Sequence, residues 1–76
     1  MKYAVVIEKT ESGGYSAYVP DLPGFGVAVP TLAGVRELVA EGVPFHLEGL
    51  ALNGLAAPEP KTLTDSVEVS QEFVTH

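Results

Sequence analysis

Two runs of alternating apolar residues flank Gly13-Gly14, and they constrain the fold more than any other feature of the sequence. Residues 2–8 and 15–19 are rich in β-branched and aromatic side chains that recur at every second position, which is the period of a β-strand. Glycine tolerates the positive φ angles that a tight hairpin turn requires. The sequence therefore predicts an antiparallel hairpin built from residues 2–8 and 15–19.

A proline-rich turn and a short third strand follow the hairpin. Pro20 and Pro23 each lack the N–H that a sheet ladder needs, and Gly24 permits a tight turn. Residues 25–29 can then form a strand, which Pro30 ends. The pattern predicts three consecutive strands.

The longest segment with helical spacing runs from residue 32 to about residue 52. Apolar residues recur there at three- and four-residue intervals, Thr31 is a suitable N-cap, and Asn53-Gly54 is typical of a helix end. Pro44 would cost roughly 3 kcal/mol in a helix interior. We therefore expect either one long helix kinked near residues 42–44 or two shorter helices that meet there.

A connector over residues 57–60 leads to a final alternating segment. Residues 64–74 alternate apolar with polar and acidic side chains, which is typical of a half-exposed strand. Its acidic side chains are either a solvated face or a match for a basic partner. The predicted order is β-β-β-α-β, an α+β fold in which one helix covers one face of an antiparallel sheet. Residues 1–76 show no internal repeat and are predicted to form a single domain.

The small size of the chain suggests a partner. A chain of 76 residues buries only roughly 60–65% of its unfolded surface, and such domains commonly add a disulfide, a metal or a second chain. The absence of cysteine excludes disulfides and thiolate metal sites. We therefore expect a homodimer, a higher homo-oligomer or a tight complex with another protein.

The acidic composition bears on which partners are possible. Direct nucleic-acid binding needs a cationic surface that displaces counterions, whereas this chain has a net charge of −6. The same charge would attract a basic partner and accelerate the encounter, or it simply keeps the protein soluble. No apolar run reaches the roughly 20 residues of a membrane span, and no signal-peptide pattern is present, so the expected location is the cytoplasm. The scarcity of Met, Asn and Gln suits a thermophilic source or a GC-rich genome.

A string of residues after the first strand resembles the N-terminal signature of HicB-like antitoxins. The string is Gly14-Tyr15-Ser16-Ala17-Tyr18-Val19-Pro20-Asp21-Leu22-Pro23-Gly24. The resemblance continues in Lys2-Tyr3-Ala4-Val5-Val6, Thr31-Leu32, His46-Leu47-Glu48, Gly54 and Pro58-Glu59-Pro60. It covers about residues 1–63, and the tyrosine-containing string behind a hairpin is far more specific than a bare Pro-Asp-x-Pro-Gly.

The resemblance implies a partly degraded ribonuclease-H-like fold that binds and blocks a small basic mRNA-cleaving toxin of the HicA type. Members of this family usually carry a separate C-terminal DNA-binding segment. Here about a dozen residues follow the connector, so we expect the toxin-binding module without that segment. Phe25 stands where the family often has Cys, and Gly34 lies in a helix start that is typically rich in Glu and Ala. Both departures would also suit an orphan member.

The residue types give little support to catalysis. Ribonuclease H chemistry needs several carboxylates around two metal ions roughly 4 Å apart, but the middle of the first predicted strand is apolar. The chain has no cysteine, and no serine lies in a nucleophile motif. His46 is expected to be a partly buried helix residue, and His76 lies too far along the chain to complete a metal motif with it. We predict no catalytic residue, no metal and no cofactor, and therefore a protein that is not an enzyme.

Four residues of the signature are the predicted contacts with a partner: Tyr18, Asp21, Leu22 and Phe25. Tyr15 and Tyr18 lie on opposite faces of one strand, so one should be in the core and the other free to bind, and tyrosine is favoured at interfaces. Asp21 is more simply explained as a turn-capping residue. The alternative to an antitoxin is an orphan scaffold that assembles with itself through an exposed edge strand, either residues 25–29 or the last strand.

Overall fold

The computed structural model describes residues 1–73, which form a three-stranded antiparallel sheet followed by a long helix. The elements are β1 (Val6–Lys9), β2 (Tyr15–Tyr18), β3 (Gly26–Val29), α1 (Leu32–Leu52) and a 3₁₀ turn over Gln71–Phe73. The strands lie in the order β1-β2-β3. This arrangement confirms the predicted α+β class and the order β-β-β-α.

The predicted hairpin joins β1 to β2 through a turn built around Thr10. The N–H of Thr10 donates to the carbonyl of Gly14 (2.9 Å), and its hydroxyl accepts the N–H of Gly14 (3.0 Å). Gly13 has a φ of +89°, which a residue with a side chain rarely adopts. Gly14 lies so close to β3 that a Cβ there would stand 2.8 Å from the carbonyl oxygen of Val29. Both glycines are therefore required by the geometry of the turn.

Strand β1 begins at Val6 rather than at residue 2, because its partner strand ends before Pro20. Val6 pairs with Tyr18, and continuing this register would place Ala4 opposite Pro20. Proline has no N–H to donate to a ladder, and the carbonyl of Val19 instead accepts the N–H of Leu22 at 3.0 Å. Residues 2–5 consequently lie beyond the ladder.

Helix α1 packs on the face of the sheet formed by β2 and β3. The fully packed centre consists of Ala17, Val35 and Val39. The partly buried side chains around it are Val5, Tyr15, Phe25, Val27, Val29, Leu32 and Val43. The helix contacts β3 and β2, so the β1 side of this face is less well covered.

The ends of α1 follow the predicted capping signals. The hydroxyl of Thr31 accepts the N–H of Gly34 at 3.0 Å. At the other end, Leu55 N–H donates to Leu50 O (2.9 Å) and Gly54 N–H to Ala51 O (3.0 Å), the pair of bonds that defines a Schellman motif. Gly54 has the required positive φ of 73°. Local side-chain chemistry thus determines both ends of the helix.

Helix α1 continues through Pro44 without a break, so a single long helix is confirmed over two shorter ones. Proline removes the hydrogen bond to the carbonyl four residues earlier, which is that of Ala40. Pro44 and Ala40 are both exposed, so water can satisfy this carbonyl. Within residues 1–73, no helix combines the length and the apolar character needed to cross a membrane.

The predicted final strand is wrong for the part of the chain that the structure describes. Residues 64–70 form no strand and residues 71–73 form the 3₁₀ turn, while Val74 lies outside the described residues. The side chain of Leu63 is 93% exposed and that of Val67 is 86% exposed. An alternating pattern favours a strand only where a neighbouring strand supplies hydrogen bonds, and no described strand lies beside this segment.

Candidate functional site

The face of the sheet opposite α1 is one candidate binding surface. Side-chain alternation brings there Val6, Glu8, Ser16, Tyr18 and Ala28. Among the described elements, α1 packs on the other face. This outer sheet face is therefore available to a partner.

Tyr18 is the largest side chain on the outer sheet face. It pairs with Val6 on one side and with Gly26 on the other, and it is 45% exposed. Gly26 has no side chain to cover the tyrosine ring. Tyr15, by contrast, packs against the core, so the prediction that the two tyrosines divide between core and surface is confirmed. An aromatic ring with a polar tip is suited to anchor an interface.

Asp21 is a capping residue, although the groups it caps are far away in the sequence. One carboxylate oxygen accepts the backbone N–H groups of Lys61 (3.1 Å) and Thr62 (2.9 Å). The other accepts the hydroxyl of Thr62 (3.1 Å). The expected role was capping of the adjacent turn, but the structure places Asp21 as the anchor of the connector after α1. We call this set of three hydrogen bonds the Asp21 anchor.

The hydrogen bonds of the Asp21 anchor stabilise the ionised carboxylate. The backbone N–H of Thr62 has the largest effect, and together with the Thr62 hydroxyl and Lys61 it lowers the pKa of Asp21 below its usual value. Residues 1–73 contain no group of three or more His, Asp or Glu side chains that could hold a metal ion. The chemistry visible at Asp21 is structural.

Leu22 and Phe25 are held by two consecutive turns between β2 and β3. Leu22 N–H donates to Val19 O, and Phe25 N–H donates to Leu22 O at 3.1 Å. Pro23 followed by Gly24 with a φ of +85° is the signature of a type II turn. The turns fold Leu22 into the interior, where its side chain is 1% exposed. A partner could contact Leu22 only after a rearrangement.

Phe25 packs against the second half of α1. Its ring lies edge-to-face with the imidazole of His46, with centroids 5.8 Å apart and planes at 81°. The ring also lies over Gly42, where a Cβ would stand 2.9 Å from it. His46 is half-buried, as expected. The structure therefore separates Phe25 from Tyr18, and the four predicted contact residues do not form one patch.

An apolar groove next to Phe25 was not predicted. It has a volume of about 390 Å³ and is lined by Phe25, Gly42, Phe45, His46, Gly49, Leu50 and Asn53. Phe45 forms its outer wall and is 77% exposed. Gly49 leaves open space, since a Cβ there would meet no atom within 4 Å.

The groove borders a stripe of exposed residues along α1. The stripe consists of Leu38, Glu41, Phe45, Glu48 and Leu52, all of them exposed. Residues three and four apart lie on the same face of a helix, so the apolar and acidic side chains alternate along one line. We call this surface the α1 stripe. The α1 stripe is recognisable in the sequence from Leu38, Phe45 and Leu52, which recur every seven residues and do not occupy the core-facing positions of the helix.

Comparison with known proteins places this arrangement in a family. The model of the HicB-like antitoxin of bacterial toxin–antitoxin systems matches residues 3–75. A protein of Archaeoglobus fulgidus named UPF0150 protein is 44% identical over 48 residues, which cover 63% of this chain and 70% of the relative. The matched range of the family model includes the sheet, α1 and the anchored connector. The chain therefore belongs to the HicB-like antitoxin family.

Proposed function

We propose that this protein is an antitoxin that neutralises a small basic toxin of the HicA type by covering the active site with which that toxin cleaves mRNA. The family supports the role in a toxin–antitoxin system. The observation that best supports the mode of binding is the α1 stripe, which presents exposed apolar and acidic side chains side by side. The proposed role is binding in the cytoplasm, and no catalytic step is part of it.

The charge of the α1 stripe matches what an mRNA-cleaving toxin must expose. A protein that binds RNA neutralises phosphates with Lys and Arg, so the RNA-binding face of the toxin is basic. Glu41 and Glu48 are two helical turns apart, about 10 Å along the axis, and would pair with two such basic groups. Because RNA and the antitoxin would compete for the same charges, binding at this surface would block cleavage.

Apolar anchors would hold the complex once charge has brought the proteins together. Phe45 and the adjacent groove can bury a partner side chain, and such central contacts carry most of the affinity of an interface. Phe25 forms one wall of this groove and would contact the toxin there. Asp21 and Leu22 would contribute indirectly, by fixing the connector and the turn. Tyr18 on the outer sheet face is the alternative anchor.

The first test is to recover the partner and to measure inhibition. Tagged protein is isolated from its source cells, co-eluting proteins are identified by mass spectrometry, and a captured basic protein is assayed for RNA cleavage with and without this protein. We expect stoichiometric capture of a small ribonuclease whose cleavage is suppressed. A ribonuclease that remains fully active in the complex would contradict the proposal.

The second test assigns the surface. We expect Phe45→Ala to weaken inhibition about 30-fold, the effect of losing an interface hot spot worth about 2 kcal/mol. Glu41→Gln with Glu48→Gln should slow association, whereas Glu11→Gln with Glu59→Gln changes the net charge equally at exposed positions away from the stripe. Loss of inhibition in Tyr18→Ala with full inhibition by Phe45→Ala would move the interface to the outer sheet face.

A second candidate function is an orphan scaffold that assembles with itself and has no toxin. The exposure of Leu63 and Val67 after the connector favours self-assembly. Recovery of the bait without a basic protein would support the orphan scaffold, although a homodimer is also compatible with toxin binding.

A further inference from the structure

The molecule exposes more surface than a folded chain of its size should. Its accessible surface is 6107 Å², whereas a folded monomer of 8.0 kDa is expected to expose about 4,500 Å². Its radius of gyration is 15.4 Å, against roughly 11 Å for a compact chain of this length. The excess indicates that part of the chain lacks a packing partner.

In the described part of the chain, the longest run of exposed residues is 63–72, and it follows an anchored connector. Tyr3 donates its hydroxyl hydrogen to the carbonyl of Pro58, and the Asp21 anchor holds Lys61 and Thr62. Beyond Thr62, the described side-chain hydrogen bonding is local, from Ser66 N–H to Asp65 at 2.7 Å. We call residues 63–70 the C-terminal segment.

The C-terminal segment has the pattern of a strand without a neighbour. Val67 and Val69 point one way in an extended chain, while Ser66, Glu68 and Ser70 point the other way. Both valines are exposed. A sheet edge is the structure that would satisfy the unpaired backbone groups and bury the valines together.

The free edge of β1 is the better of the two available edges. Strands β1 and β3 are both four residues long. Strand β3 is closed by Pro30 at one end and by the Pro23-Gly24 turn at the other, whereas no proline lies in β1 or in the residues that precede it. Ile7, which pairs with Ala17 beside the core, remains 37% exposed there because α1 covers β2 and β3. An added strand would cover Ile7.

The C-terminal segment is poorly placed to reach the free edge of its own β1. The connector passes Tyr3 at Pro58 and then reaches Asp21 at residues 61–62. Asp21 lies in the turn that leads from β2 to β3, on the side of β1 that faces β2. The connector thus runs from β1 towards β2, away from the free edge.

We propose that the C-terminal segment of one chain pairs with the free β1 edge of a second copy, and that the exchange is reciprocal around a two-fold axis. Each chain then donates one strand and receives one, so the assembly closes as a dimer. Lys2 precedes β1 and Lys9 ends it, while Asp65 and Glu68 lie in the incoming segment, so two pairs of opposite charge are available beside the single acidic residue of β1, Glu8. This proposal goes beyond the proposed antitoxin role and does not depend on a toxin.

The unburied area is large enough for such a dimer. Exposed residues of α1 and of its C-terminal end also contribute to the excess of about 1,600 Å²; if exchange buries half of this area on each chain, the interface buries about 1,600 Å² in total, the standard size of a specific interface. Burial of the β1 edge would also remove an unpaired strand that otherwise invites aggregation.

The experiment is to measure the mass of the full chain by light scattering after size exclusion, for the wild type and for two variants. We expect the wild type at twice 8.0 kDa, Val67→Pro at the monomer mass, and Val67→Thr still dimeric. Proline removes a ladder donor but disturbs no element of the described monomer, since residue 67 lies in none. Threonine keeps strand propensity. A monomeric wild type, or a dimeric Val67→Pro, would overturn the proposal.

Cross-linking distinguishes exchange between copies from pairing within one chain. The protein has no native cysteine, so Ile7→Cys and Val69→Cys can be made separately, mixed and oxidised. We expect a disulfide-linked dimer of the two variants on a non-reducing gel, at a higher yield than with Glu11→Cys and Val69→Cys. Equal yields would contradict the pairing with β1.

Discussion

Strand β2 and the C-terminal segment carry the same alternating pattern but have different structures. Residues 15–18 pair on both sides, with β1 and with β3. Residues 63–70 pair with no described strand and expose their valines. The difference shows that an alternating pattern favours an extended chain, whereas the turns or connectors before and after the segment determine whether it lies beside another strand.

The connections around β2 are turns with defined chemistry. The Thr10 turn and Gly13 reverse the chain before β2, and the Pro23-Gly24 turn reverses it afterwards. The connector before the C-terminal segment instead ends on the Asp21 anchor. The anchor fixes the position of the connector but does not turn the chain back alongside a neighbouring strand.

The largest expected effect is the difference in unfolding free energy between an alanine substitution in the interior and one in the C-terminal segment. Leu22→Ala removes a side chain that is almost fully buried and should lower the free energy of unfolding by about 2–5 kcal/mol. Leu63→Ala should change it by less than about 0.5 kcal/mol in the monomer. Denaturant unfolding of both, in the Val67→Pro background, measures the contrast. Equal losses would mean that residues 63–70 pack on their own chain.

The local signals predicted most of the fold because they act over a few residues. The turn of the hairpin, the Thr31 cap and the Gly54 helix end each depend on contacts within five positions. Local signals could not predict whether the final segment forms a strand, since strand formation there depends on a pairing partner that is distant in the sequence. The Asp21 anchor joins residues about 40 positions apart, and no periodicity reports such a contact.

The candidate site was predicted less completely than the fold. Alternation correctly placed Tyr18 on the surface, but the burial of Leu22 results from two turns whose combined geometry the sequence does not display. Phe45 was not predicted because it lies off the core-facing positions of the helix, although its seven-residue spacing from Leu38 and Leu52 is present in the sequence. Exposed apolar repeats are informative when the core pattern has already been assigned.

A smaller effect is expected from the glycine that lets β3 approach the hairpin. Gly14→Ala places a Cβ 2.8 Å from a backbone oxygen of Val29 and should destabilise the fold by about 1–3 kcal/mol. Gly26→Ala is the matched control, since its Cβ would meet Ala17 O at an ordinary 3.7 Å. Thermal unfolding compares the two variants. A wild-type melting temperature for Gly14→Ala would show that the turn adjusts easily.

Alanine substitutions at two helix glycines should change the stability by smaller and unequal amounts. Gly49→Ala meets no atom within 4 Å and should stabilise the protein by about 0.5–1 kcal/mol, the usual gain in a helix interior. Gly42→Ala would place its Cβ against the Phe25 ring, so displacement of the ring should offset that gain. Denaturant midpoints measure both, and a larger gain for Gly42→Ala would contradict the close contact.

The smallest expected effect is confined to the Asp21 anchor and depends on pH. Its hydrogen bonds lower the pKa of Asp21, so the anchor contributes fully above the unfolded pKa of about 3.9 and is lost as the pH falls through the lower folded value. We expect hydrogen exchange at the Thr62 amide to accelerate there, relative to a central amide such as Val39. Asp21→Asn should abolish this pH dependence, whereas Asp65→Asn should leave it unchanged. An anchor that survives protonation would mean that the connector is held by packing rather than by the carboxylate, and the direction of the C-terminal segment would then need another cause.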